Sequence, residues 1–187
     1  MGRLIYSMNV SLDLYIEDAA GTFAWSAPDE EAHRMANEEA RESAAFLYGR
    51  RLYELMEGYW PAAAAGGDLP EVEAEFARIY VDTPRIVFSD TLESVSEGAR
   101  LVRSADARRE VERLKREEDG PLNLGGAGLA ASLADLIDEF RMFVNPILVG
   151  GGKPFFPERA EHFALRLAEN RTLASGTIFL RYERVRA

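Results

Sequence analysis

Apolar and polar residues along the chain alternate between two rhythms. Arg3–Leu12 is rich in β-branched and apolar side chains and reads as a buried first strand. A loop with Gly21 follows, and Pro28-Asp29-Glu30-Glu31 then opens a helix, acidic residues suiting its positive end. Ala32, Met35, Ala36 and Ala40 form that helix's apolar face. Ala44–Tyr48 predicts a second strand turning at Gly49 directly into a helix, and Pro61–Pro70 (PAAAAGGDLP) a surface loop. Pro84–Ser89 and Ala99–Val102 predict the third and fourth strands. Between Ser104 and Glu118, Ala107, Val111 and Leu114 recur at i, i+4, i+7 on a charged helix.

Pro121–Leu124 predicts a fifth strand running into Gly125–Gly128 and another helix. Glu139–Val149 predicts a long sixth strand, broken at Pro146, which cannot donate to a ladder. His162–Leu173 and Thr177–Val185 predict a closing antiparallel pair, turned at Ser175-Gly176. Strands alternating with helices and a final hairpin describe one α/β domain with a mixed sheet.

Composition narrows the chemistry. The 187 residues contain no cysteine and two histidines, which removes thiol nucleophiles, disulfides and histidine-rich metal sites. The net charge of −10 opposes attraction to nucleic acid or an anionic membrane, so an anionic ligand needs local cations and oriented N–H groups. The first residues lack the apolar stretch of a secretory signal and no 18-residue apolar run exists, so a cytoplasmic protein is expected.

Two segments offer such anion sites. In Leu124-Gly125-Gly126-Ala127-Gly128-Leu129 an apolar strand ends in glycines where a helix begins, letting backbone N–H groups approach an anion. Gly126, Gly128 and Ala131 also fit the G-x-G-x-x-A dinucleotide pattern, yet the pattern lies late in the chain and lacks its acidic partner downstream. A tight strand–helix turn would use the same glycines. Gly49-Arg50-Arg51 adds two guanidinium forks to a second helix start, although two solvated surface arginines would look alike. Together the two segments match the pyrophosphate and the 2′-phosphate of NADPH.

Ser89, past the third strand, is a candidate hydroxyl for phosphate or ribose, or a turn cap, and Arg103 a neighbour of adenine or phosphate, or a surface charge. In Gly150–Pro157, a flexible loop, Lys153 could meet an anionic substrate.

The order of the segments Met8–Asp13 (MNVSLD), Trp25–Glu30, Phe46–Glu54, Gly58–Pro61, Leu124–Gly128 and Phe143–Phe155 resembles the dihydrofolate reductase-like superfamily. Within it, the chain is most similar to the C-terminal reductase domain of the riboflavin-biosynthesis bifunctional deaminase-reductase and its stand-alone relatives. The resemblance implies a three-layer α/β/α fold with a mixed, mainly parallel sheet, NADPH as hydride donor, a small heterocyclic or carbonyl substrate, and a homodimer. It places Arg50 on the cofactor's 2′-phosphate with Ser89 nearby, and Gly125 to Leu129 on the pyrophosphate. Strand-one residues such as Asn9, and the loop after them, would approach nicotinamide and substrate. Asp13, Glu30 and Tyr53 are candidates for supplying the proton, and Trp25 and Tyr53 for stacking a flat ring. Where relatives usually carry glycine this chain has Leu14, and where many carry threonine it has Leu52. Substrate readings within the resemblance are a phosphoribosylamino-uracil, as in riboflavin synthesis, or a pterin; a protein that binds NADPH without chemistry is the alternative outside catalysis.

Overall fold

The chain builds its sheet outward from a central first strand. The computed structural model describes residues 2–66, 68–156 and 162–185. Among the described residues ten strands run as β1 (Leu4–Val10), β2 (Tyr15–Asp18), β3 (Ala45–Gly49), β4 (Arg85–Phe88), β5 (Ala99–Val102), β6 (Leu122–Gly125), β7 (Glu139–Val144), β8 (Gly152–Pro154), β9 (Leu165–Thr172) and β10 (Ile178–Arg184). The helices are α1 (Glu30–Glu42), α2 (Arg50–Glu57), α3 (Trp60–Ala65), α4 (Glu71–Asp82), α5 (Ala107–Glu117) and α6 (Ala127–Ser132). Eight strands form one sheet in the order β5-β4-β3-β6-β1-β7-β10-β9, while β2 and β8 form a separate pair. The strands from β5 to β7 are mutually parallel, and β10 and β9 close the sheet antiparallel.

Alternation along the strands sorts the core into two faces. Leu4, Tyr6, Leu47, Ile86, Leu122, Leu124 and Met142 pack against Val111 and Leu114 of α5 and Ala130 of α6. Phe46, Tyr48 and Val87 point the other way, toward Ala40 of α1, Tyr53 of α2 and Tyr80 of α4. Helices therefore cover both faces, giving the three layers expected for strands read as continuous apolar runs.

The Tyr6 hydroxyl is buried with no partner among the described residues, its ring stacked on Phe155 at 4.2 Å. Burial pushes its pKa well above the usual tyrosine range. Tyr6→Phe is expected to stabilise the fold by about 1–2 kcal/mol, because it removes a desolvated donor and keeps the ring. Denaturant unfolding measures this, and a lower midpoint at unchanged slope would show that the hydroxyl has a partner.

Four expectations need correcting. Trp60–Ala65 is a helix, so the first half of the expected Pro61–Pro70 loop is helical, while Gly67 within it lies outside the described residues; proline in the first turn and four alanines favour the helix. α4 was not among the expected elements. The sixth strand ends at Val144 rather than Val149, because the Asn145 side-chain amide donates to the Val10 and Phe143 carbonyls at 3.1 Å each. The loop with Gly21 and the Gly150–Pro157 segment are not wholly irregular, since β2 and β8 pair across them with Glu17 opposite Lys153; Pro157 lies outside the described residues. Leu14 takes φ +63°, the left-handed backbone that glycine at this position would adopt freely.

Candidate active site

Parallel strands end on one edge, and the register sets which ends are neighbours. Tyr48 stands opposite Gly125, Gly49 opposite Phe88, and Phe88 opposite Val102. Gly49-Arg50, Ser89, Arg103 and Gly125-Gly126 therefore leave the sheet side by side. Open α/β sheets bind ligands at this carboxyl edge.

Both helix starts here are capped by glycine without a side-chain hydrogen bond, Gly49 before α2 and Gly126 before α6. Gly126 has φ +94°, and an added Cβ on Gly128 would meet nothing within 4 Å, so backbone there is open to close approach. A Cβ on Gly125 would instead run into the Leu52 side chain and stand 3.2 Å from the Tyr48 ring; this glycine is a packing requirement. Leu124 is fully buried under the turn and Ala127 nearly so, whereas Leu129 is half-buried and its Cβ lies 3.9 Å from where a Gly49 Cβ would sit. The two glycine turns are thus neighbours. Met8 of β1 reaches them as well, its Sδ accepting from the Gly126 amide at 3.5 Å.

The arginines are held by carboxylates of the same chain. Arg50 pairs with Glu54 one turn along α2 at 3.1 Å, and Arg51 pairs with Glu17 of β2 at 3.3 Å. Both guanidinium groups are about half exposed or more, so a phosphate can compete for them. Ser89 is buried, and its Oγ accepts the amides of Thr91 and Leu92 at 3.2 and 3.1 Å. Arg103 braces the same turn, donating to the carbonyls of Ser89 and Leu92. These groups fit an extended, doubly anionic ligand such as a dinucleotide phosphate lying across β6, β3 and β4.

The other candidates are dispersed. Asn9 is half-buried on β1 opposite Phe143, on the same face as Ser7, which donates to Glu39 of α1. Asp13 is a loop clasp: its carboxylate accepts the amides of Val149 and Gly150 at 3.2 and 2.8 Å. Hydrogen bonds from Ser11 and those two amides hold it below the usual carboxylate range, so at neutral pH it carries no proton to give. Trp25, in a short 3-10 turn, donates from its indole to the Thr22 carbonyl. Glu30 is exposed, paired with Arg34, and lines a 340 Å³ cavity between the openings of α1 and α4. Its neighbour Asp29 is the N-cap, accepting the Ala32 amide. Lys153 is half-buried on β8. Tyr53 is 5% exposed and its hydroxyl is engaged by Ser96, a poor placement for donating a proton to a ligand. Glu17 is missing from the expected site residues and stands in no pattern that would single it out, whereas Met8 heads the Met8–Asp13 segment without being assigned a role.

The layered sheet and the glycine-lined carboxyl edge define a dihydrofolate reductase-like α/β protein. The chain belongs to the family described as RibD C-terminal domain, whose model matches residues 3–179. It is 28% identical to the uncharacterised protein YyaP of Bacillus subtilis (strain 168) over 183 residues, 96% of this chain and 94% of that one. In fold it is similar to a Shewanella sp. PV-4 protein named for riboflavin biosynthesis, with a TM-score of 0.72, 22% identity and full coverage of both chains. It is also similar to dihydrofolate reductase from Enterococcus faecalis, solved with NADP(H), with a TM-score of 0.65 and 14% identity over 98% of this chain and 96% of that one. Among the described residues no helix is long and apolar enough to cross a membrane, and no group of three or more potential metal ligands occurs.

Proposed function

We propose that the protein is an NADPH-dependent reductase acting on a small heterocyclic or carbonyl compound. A phosphoribosylamino-uracil of the kind reduced in riboflavin synthesis is the leading substrate class, and a pterin the second. The observation that carries the reading is the adjacency of two glycine-capped helix starts at the ends of β3 and β6, with Arg50 and Ser89 alongside.

NADPH, when bound, supplies the hydride that reduces an electrophilic carbon of the substrate. The chain's part is to bind and orient. The amides opening α6, from Ala127 to Leu129, would hold the pyrophosphate, and Arg50 with Ser89 the 2′-phosphate. Arg51, released from Glu17, would add a second cation. Asn9 and the loop after β1 would line the substrate side, Trp25 giving a flat wall and Lys153 a cation for an anionic substituent. The proton completing the reduction goes to the product's oxygen or nitrogen and would come from a water, since Asp13 is clasped to Val149 and Gly150 and Glu30 is exposed and paired with Arg34. The same reading makes the protein a soluble homodimer of the cytoplasm. Leu167 and Ile178, exposed on the outer strand pair, support a second copy there, and sedimentation showing one chain per particle would refute it.

NADPH binding, followed by NADPH oxidation with pyrimidine and pterin substrates, tests the proposal. Binding without turnover on any of them would favour a non-catalytic binding protein. Arg50→Ala is expected to weaken NADPH by about 1–3 kcal/mol with little change for NADH. Equal weakening of both would remove Arg50 from the 2′-phosphate.

A further inference from the structure

Tyr53 points to the buried side of α2, where its hydroxyl joins several parts of the chain. It accepts the Ser96 amide at 2.9 Å and shares a second hydrogen bond, also 2.9 Å, with the Ser96 hydroxyl. Ser96 Oγ donates in turn to Glu57 at the end of α2. Tyr80 of α4 donates to the other Glu57 oxygen at 2.9 Å. Arg85, buried at the start of β4, lies 3.6 Å from the same carboxylate and donates to the carbonyls of Tyr80, Thr83 and Glu97. A Cβ on Gly98 would stand 2.7 Å from the Arg85 guanidinium, at a φ of +76° that side chains rarely adopt. Glycine at 98 therefore lets β5 begin over this cluster.

The cluster anchors the far end of the segment that links β4 to β5. The near end is held separately by Arg103 and by the turn around Ser89. Only Glu93, Ser94 and Val95 lie between Leu92, the last residue braced by Arg103, and Ser96. The loop that carries Ser89 and Thr91 is thus tied at one end to its strand and at the other to α2, the helix that begins with Arg50. Arg50 and Tyr53 are three residues apart on that helix, so the tether fixes the guanidinium relative to the two hydroxyls. A bidentate phosphate contact is sensitive to such a spacing.

We propose that Tyr53 and Ser96 are positioning residues that set the distance between Arg50 and the Ser89–Thr91 turn, and thereby the preference for a ribose 2′-phosphate. The inference rests on the NADPH reading above and adds residues that touch neither cofactor nor substrate.

The test measures NADPH and NADH affinities by fluorescence titration for the unaltered chain, Tyr53→Phe, Ser96→Ala and Ser96→Thr, with hydrogen exchange of residues 89–98 in each. Tyr53→Phe and Ser96→Ala are expected to speed exchange in the loop and to weaken NADPH about tenfold, NADH by less than about twofold. Ser96→Thr, which keeps the hydroxyl, restores both readouts. Faster exchange with an unchanged NADPH preference would overturn the proposal and leave the Arg50 assignment standing. Unchanged exchange would overturn it as well. An unaltered chain that does not distinguish NADPH from NADH would overturn both. Should Tyr53→Phe fail to fold, Ser96→Ala carries the same comparison, because Ser96 is on the exposed side of the cluster.

Discussion

Arg141→Ala is expected to destabilise the fold by about 3–5 kcal/mol, the largest effect of any substitution considered. Arg141 lies on β7, facing α1, between two carboxylates taken out of water. Its Nη1 is 3.1 Å from Glu39 of α1 and its Nε 2.5 Å from Glu139, whose side chain is fully buried. Arg3 and Arg181 approach Glu139 from outside, at 3.0 and 3.9 Å, but among the described residues the Glu39 carboxylate has only Arg141 and the Ser7 hydroxyl. Burial already pushes the Glu39 carboxyl above the usual range, against the pull of Arg141. Without the guanidinium it rises further. A carboxyl whose folded pKa exceeds its unfolded one binds more protons when folded, so stability gains as the pH falls through that window and declines as it rises. The deficit of Arg141→Ala should accordingly shrink toward mild acid and grow toward neutral pH in denaturant titrations. A deficit below about 1 kcal/mol, as for a surface pair, would show that the cluster is hydrated.

Gly152→Ala is expected to release the β2–β8 pair and with it the placement of Lys153 and Glu17. Gly152 has φ +134°, outside what an alanine adopts without strain of about 1–3 kcal/mol. Its Cβ would overlap the Glu17 carbonyl oxygen and stand 2.6 Å from the Asp18 carbonyl carbon. Backbone on both sides leaves no side chain to rotate away, so the strands must part. Because this pair stands outside the main sheet, global unfolding should change little. Hydrogen exchange should quicken at residues 15–18 and 152–154, and turnover, once a substrate is known, should fall about tenfold or more through loss of orientation. Native protection in those two segments would refute the close approach.

What the sequence made legible follows from how local each signal is. β1, β3, β4 and β6 are buried on both faces, so their apolar runs announce themselves without knowledge of their neighbours. The turns at Gly49 and Gly125-Gly126 were readable because a glycine at a strand end followed by a helix has few other uses. β2 and β8 were not, since neither has a buried residue to give it an apolar run and each pairs with the other outside the main sheet. α4 does carry helical spacing at Val72, Phe76, Ile79 and Tyr80, but it has no side-chain N-cap and buries only Ala77 and Tyr80, so its ends and its apolar face are weakly marked. At the site, the Arg50–Glu54 pair could have been read from its i, i+4 spacing. The Arg51–Glu17 pair could not, because its members stand 34 positions apart and Glu17 belongs to the separate β2–β8 pair.

The register of the sheet has one more consequence. Ile5 stands opposite Glu139, and Glu139 opposite Glu183, so the first strand starts where the last one ends. Both ends of the described chain therefore emerge on the edge away from the glycine turns, two strand spacings or about 10 Å apart. Anything attached at either end, such as a label or a surface tether, would sit behind the sheet and leave the approach to Arg50 and Gly126 clear.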